Sequence, residues 1–167
     1  TEQIMMAVFG FIYVVVLMSF LYLLRITEDG IYTFWLVFIG SWICDTFAYL
    51  TGVTCGKHKL APVLSPKKSI EGAVGGIVGA VAVGAIYGAI IGGQLEAVAH
   101  PIISFALLCG IAGLVSMVGD LSASAIKRNY DVKDYGTLIP GHGGILDRFD
   151  SVIFIAPVIY YILIFVV

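Results

Sequence analysis

From Ile4 to Leu24 the chain runs for 21 residues without a charged side chain. About 20 apolar residues in a helix are enough to cross a bilayer. In a medium without water, only helices and closed barrels satisfy their own backbone. The pattern then recurs. Ile31–Leu50 is a second run broken only by Asp45, and Gly72–Gly93 is a third. A fourth opens at Pro101, which suits a first helical turn because its missing N–H is not needed there, and continues to about Arg128. A fifth goes from about Ile145 to the end. Short turns at 25–30 and 94–100 and two longer polar loops at 51–71 and 129–144 separate them. The expected fold is an all-α polytopic membrane bundle of about five transmembrane helices, forming a single domain over 1–167. Charged residues are only 12% of the chain, against roughly 25% in soluble domains, which excludes an ordinary soluble fold.

The sequence opens at Thr1-Glu2-Gln3 without a Met or a basic signal region and closes inside an apolar run at Phe165-Val166-Val167. A piece of a longer protein is therefore expected. Cys44 and Cys109 sit in apolar runs, where cysteine acts as a small hydrophobe; Cys55 completes a set of three with no CxxC. The third run is rich in glycine, with overlapping GxxxG spacings that suit close helix packing; a broken, transporter-like helix is the alternative. Eight of the nine basic residues (Lys57, Lys59, Lys67, Lys68, Lys127, Arg128, Lys133 and Arg148) fall in or beside the two long loops, and only Arg25 lies opposite. By the positive-inside rule that face is cytoplasmic.

Residues 120–150 break the apolar pattern with five aspartates, four Lys/Arg and a histidine. Polar groups at such density are costly beside lipid and mark function by default. Asp120, Ser124 and Lys127 recur at helical spacing and share one face. Asp147 and Asp150 do the same on the next helix. Between them PGHGG, residues 140–144, lacks the Cβ atoms that would hold a ligand off the backbone. Aspartates beside lysines suit Mg²⁺, which uses one or two protein carboxylates plus substrate phosphates. The pattern points to metal-assisted chemistry on phosphates.

Other groups remain open between roles. Asp45, about five residues from its span end and thus roughly 7–8 Å deep, is either a packing residue or part of the site. In SPKKSIEG, residues 65–72, Ser69 can cap a helix and Glu71 suits its first turn. Lys67 and Lys68 there serve either anionic headgroups or, with the helix N-terminus, a phosphate. His58 and His100 read as interfacial loop residues. His142 either contacts substrate or orders its loop.

Ser124-Ala-Ile-Lys127-Arg128, Lys133-Asp134, Gly136, Ile139-Pro140, His142-Gly143-Gly144 and Asp147-Arg148-Phe149-Asp150 together resemble the signature of phosphatidate cytidylyltransferases, the CDP-diacylglycerol synthases. CDTFAYLTG at 44–52 and SPKKSIEG are similar to that family's upstream motifs. The resemblance implies a transmembrane catalytic domain that makes CDP-diacylglycerol and pyrophosphate from CTP and phosphatidic acid. It implies Mg²⁺ at Asp120 and Asp147, with a second cation left open, and catalytic roles for Asp120, Ser124, Lys127 and Asp147. Lys68, Ser69, Arg128, His142, Asp45 and Asp150 would contact or support substrate. A homodimer in a bacterial inner membrane is expected, with a polar funnel open to the cytoplasm and no nucleic-acid partner. The family's further N-terminal helices are absent from the sequence. The rival readings are a CTP-dependent polyprenol or phytol kinase and, from another class, a membrane transporter.

Overall fold

The structure, a computed structural model, describes residues 2–62, 64–132, 134–136 and 143–165. Among them five helices are long and apolar enough to cross a membrane: α1 (Gln3–Arg25), α2 (Gly30–Cys55), α3 (Ile70–Gln94), α4 (Pro101–Asn129) and α5 (Leu146–Phe165). The all-α bundle expected from the apolar runs is what forms. Helices α3 and α4 pack most extensively on each other, α2 flanks α3, and α5 closes against α4 and α1. Leu36, Val37, Phe105, Leu108, Val152 and Ile155 fill the core between them.

In two places the fold departs from the sequence pattern, and both bear on the polar end of the bundle. Helix α2 continues past Leu50 to Cys55 and stops where Gly56 turns extended at φ −66° and ψ 114°. The polar residues of that extra turn are tolerated because hydroxyls bond back along the helix, as Thr54 Oγ1 does to the Leu50 carbonyl at 2.9 Å. Asp45 therefore lies ten residues from its helix end rather than five. Second, the expected plain loop at 51–71 holds an antiparallel hairpin, β1 (Lys59–Ala61) and β2 (Ser65–Ser69). Strands this short, one of them holding a proline and two lysines, carry no readable alternation.

Glu71 pins the base of that hairpin. Its carboxylate meets His58 Nδ1 at 2.6 Å and accepts the N–H groups of Lys57 and His58 at 3.1 and 3.2 Å. His58 is thus a structural partner rather than a bystander of the interface. Ser69 caps α3 as expected, its hydroxyl accepting the Gly72 N–H at 3.1 Å.

The glycine-rich helix α3 is unbroken from Ile70 to Ile91, which settles its glycines as packing devices. A Cβ on Gly76 would lie 2.7 Å from the Cys44 carbonyl, and one on Gly84 would lie 2.7 Å from that of Phe105. Backbones approach this closely only where side chains are missing. Cys44 and Cys109 are buried in those same seams, as their apolar surroundings predict.

At the opposite end of the bundle, Asp29 has a role that the short turn at 25–30 did not advertise. It is buried, and its carboxylate accepts the N–H groups of Glu96, Ala97 and Val98 at 3.1, 2.9 and 3.2 Å. It thereby ties the α1–α2 turn to the α3–α4 connector. Asp29→Ala would leave the buried Val98 N–H, and two part-buried N–H groups beside it, without their acceptor, a loss of about 2 kcal/mol. A clearly lowered thermal unfolding midpoint in detergent is the expected result; an unchanged midpoint would show the clamp to be dispensable.

Candidate active site

The C-terminal ends of α2 and α4 and the N-terminal ends of α3 and α5 meet at one end of the bundle, and most of the charged residues of the chain gather there. The stripe on α4 is continuous helix, so Asp120, Ser124 and Lys127 do share a face. Each end of the stripe is ion-paired. Asp120 pairs with Lys68, which reaches over from β2. Lys127 Nζ donates to Asp147 Oδ1 at 2.9 Å, joining α4 to the first turn of α5.

The second pair is the more enclosed, with side chains only 12% and 7% exposed. Asp147 Oδ2 accepts two further bonds, from the Tyr135 N–H at 2.8 Å and the Gly144 N–H at 2.9 Å. Gly143 stands at φ +82°, and a Cβ there would come within 3.1 Å of Asp147 Oδ2. Glycine at this position thus lets the backbone close on the carboxylate. Tyr135 places its ring 5.2 Å from Lys127 Nζ and donates its hydroxyl to the Ala123 carbonyl at 3.3 Å. Burial raises its phenol above the ordinary tyrosine value.

Beside the first pair lies a cavity of about 520 Å³, floored by α2 and α3 and roofed by the hairpin. Asp45, Asp120, Lys59, Lys67, Lys68 and Ser69 supply its polar lining, with Tyr49, Val53 and Met117 among its apolar wall. Asp45 follows a π-helical stretch, Ile39–Ile43, a local widening of the helix that often occurs at functional sites. Asp150 is buried, its Oδ1 accepting the Ser151 N–H at 2.8 Å. Asp45 and Asp120 line the same cavity, and Gly119, next to Asp120, packs against the Asp150 backbone, where a Cβ would lie 3.3 Å from its carbonyl.

Most of the residues singled out in the sequence are therefore assembled in one place. Ser124 is half-buried between the ends of the stripe, and Arg128 is exposed just beyond it. His142, with Lys133, Ile139 and Pro140 of the same motif, lies outside the described residues. Asp120 and Asp147 each contact their own lysine rather than one another. Among the described residues, no three His, Cys, Asp or Glu side chains converge as ligands for a metal ion.

The model of the cytidylyltransferase family matches residues 1–166. The chain belongs to the cytidylyltransferase family. Over 158 residues it is 38% identical to the phosphatidate cytidylyltransferase of Staphylococcus saprophyticus and 39% to that of Staphylococcus haemolyticus, in each case 87% of this chain and 54% of the relative. The phosphatidate cytidylyltransferase of Thermotoga maritima is 37% identical over 127 residues, 76% of this chain and 47% of that protein. The chain spans about half the length of the curated relatives it matches.

Within this candidate site, reading the sequence misses Tyr135 and the role of Gly143 and Gly144 toward Asp147. Tyr135 carries no positional signal of its own. Its contribution is a backbone N–H, which any residue but proline has, and a ring that meets Lys127 only through tertiary folding.

Proposed function

We propose that this chain is the catalytic portion of a membrane enzyme that transfers the cytidylyl group of CTP to phosphatidic acid, releasing pyrophosphate and forming CDP-diacylglycerol. The observation that carries the reading is the joining of Lys68–Asp120 and Lys127–Asp147 at one end of a single helix, next to a cavity with a polar lining and an apolar wall. An amphiphile with a phosphate head requires both kinds of surface. The names of the relatives supply the substrates.

In the transfer, a phosphatidate oxygen attacks the α-phosphorus of CTP, a new P–O bond forms, and the bond from the α-phosphorus to the β-phosphate bridging oxygen breaks. Lys68 and Lys127 exchange their carboxylate partners for phosphate oxygens and offset charge on the transferring group. Arg128 and Lys67 neutralise the outer phosphates. No covalent enzyme intermediate is needed, because positioning and charge neutralisation lower the barrier.

The carboxylates fit a hard divalent cation. Asp45, Asp120, Asp147 and Asp150 are four oxygen-donor groups against two paired ammonium groups. Mg²⁺ needs only one or two of them, with substrate phosphates completing its shell. Asp120 and Asp147 would hold it. When bound it supplies Lewis-acid stabilisation of the departing pyrophosphate.

By the positive-inside rule this end of the bundle faces the cytoplasm, where CTP is found. The membrane is a bacterial inner membrane, and the working form is a homodimer. The deciding experiment incubates the full-length protein with cytidine-labelled CTP, phosphatidic acid and Mg²⁺. A lipid-soluble cytidine product with release of pyrophosphate is expected. Lipid phosphorylation with free CDP would replace this reading with a kinase, and solute flux without nucleotide turnover would replace it with a transporter.

A further inference from the structure

Tyr13 is a buried residue near the middle of α1, a helix otherwise largely exposed to lipid. It is 8% exposed, and its hydroxyl is buried without a hydrogen-bond partner among the described residues. A buried phenol normally finds one, so an orphaned O–H here calls for an explanation. Its ring is held firmly, stacked on Phe9 at 5.4 Å and edge-on to Phe154 of α5 at 5.7 Å.

Phe154 lies one helical turn beyond Asp150, so ring and carboxylate project from the same face of α5. Gly119 of α4 closes the same spot: a Cβ there would come within 2.9 Å of Phe154 and 3.3 Å of the Asp150 carbonyl. Tyr13 also sits inside the π-helical stretch Phe11–Val16. Such a stretch shifts helical register by one residue, and is found where a side chain must be re-aimed. Tyr13 therefore packs on Phe154, on the α5 face that carries Asp150 and against which Gly119 of α4 lies.

We infer that Tyr13 is a positioning residue of the site: its phenol O–H is held in reserve for the Asp150 carboxylate and fixes that carboxylate when substrates load. The inference rests on the cytidylyl-transfer reading. It also gives α1 a direct link to catalysis. Donor and acceptor are complementary, both residues are buried, and pairing them would remove the orphaned O–H.

The test is a double-mutant cycle in the full-length membrane enzyme. Tyr13→Phe keeps the ring against Phe9 and Phe154 and deletes only the O–H. Expected is a fall in kcat of about tenfold with KM for CTP and for phosphatidic acid changed less than twofold, and an unchanged thermal midpoint. Asp150→Asn should cost more, and the double variant should be no worse than Asp150→Asn alone, since residues acting as a unit are non-additive. Full activity in Tyr13→Phe overturns the inference, and so does a cycle in which the two losses multiply. An active wild type in either case leaves the functional reading standing, whereas a wild type without cytidylyl transfer removes both.

Discussion

Lys127→Met is expected to lower cytidylyl transfer by on the order of 10³-fold while leaving the protein inserted and folded. Lys127 is the cation of the more enclosed ion pair, with Asp147 Oδ1 at 2.9 Å and the Tyr135 ring under its ammonium. A charge in a site of low dielectric acts on developing phosphate charge far more strongly than one in water. Methionine keeps most of the stem and its packing but removes that charge.

The difficulty is that removing one partner of an enclosed pair also leaves the other uncompensated, which destabilises. Asp147 is partly protected, because the N–H groups of Tyr135 and Gly144 remain on Oδ2. Two companion variants separate chemistry from folding. Lys127→Met with Asp147→Asn removes both charges; its thermal midpoint should recover toward wild type while its activity stays lost. Lys127→Arg keeps the charge on a planar, differently shaped head and should retain part of the activity. Near-normal turnover in Lys127→Met, measured on a folded sample, would remove Lys127 from the reaction.

How much of this is legible in the sequence depends on how local the signal is. The five helices come from the lengths of apolar runs, and the Ser69 cap from a serine three residues before the N–H it binds. The α4 stripe needs only helical spacing. By contrast, Asp29 looks like an ordinary turn acid because its three donors lie some 67–69 residues away. Glu71 reads as an acid at a helix start, yet its partners, Lys57 and His58, come from the residues that lead into the hairpin. The pairing of Lys68 with Asp120 joins a strand to a helix across the bundle, and no local pattern encodes it. Tyr13 is hidden most deeply. In the sequence it is one aromatic in an apolar span, and only tertiary packing places it beside Phe154, on the face of α5 that carries Asp150.

Asp120→Asn, Asp147→Asn and the double variant are all expected to be inactive to a similar degree, each down by on the order of 10³-fold or more. The reason is electrostatic. CTP and phosphatidate are both strongly anionic, and the site adds four carboxylates, of which only Asp120 and Asp147 are paired with lysines. At the short distances of a phosphoryl transfer, like charges would repel strongly. If phosphate oxygens draw Lys68 and Lys127 away, the carboxylates of Asp120 and Asp147 lose their ammonium partners and would be free to hold a divalent cation. On the proposed metal centre each aspartate would be one ligand, so loss of either would disable the whole. Wild-type activity should vanish in EDTA and return on adding Mg²⁺, while excess Mg²⁺ should not restore full rate to either single variant. Asp147→Asn should also loosen the backbone at Tyr135 and Gly144, because a single neutral amide oxygen must serve both the two N–H groups and Lys127, which the carboxylate meets with separate oxygens; faster hydrogen exchange at those two N–H groups would report it independently of activity. Single losses that multiply cleanly in the double variant, or turnover that persists in EDTA, would refute a shared metal and leave the two aspartates as separate anchors for Lys68 and Lys127.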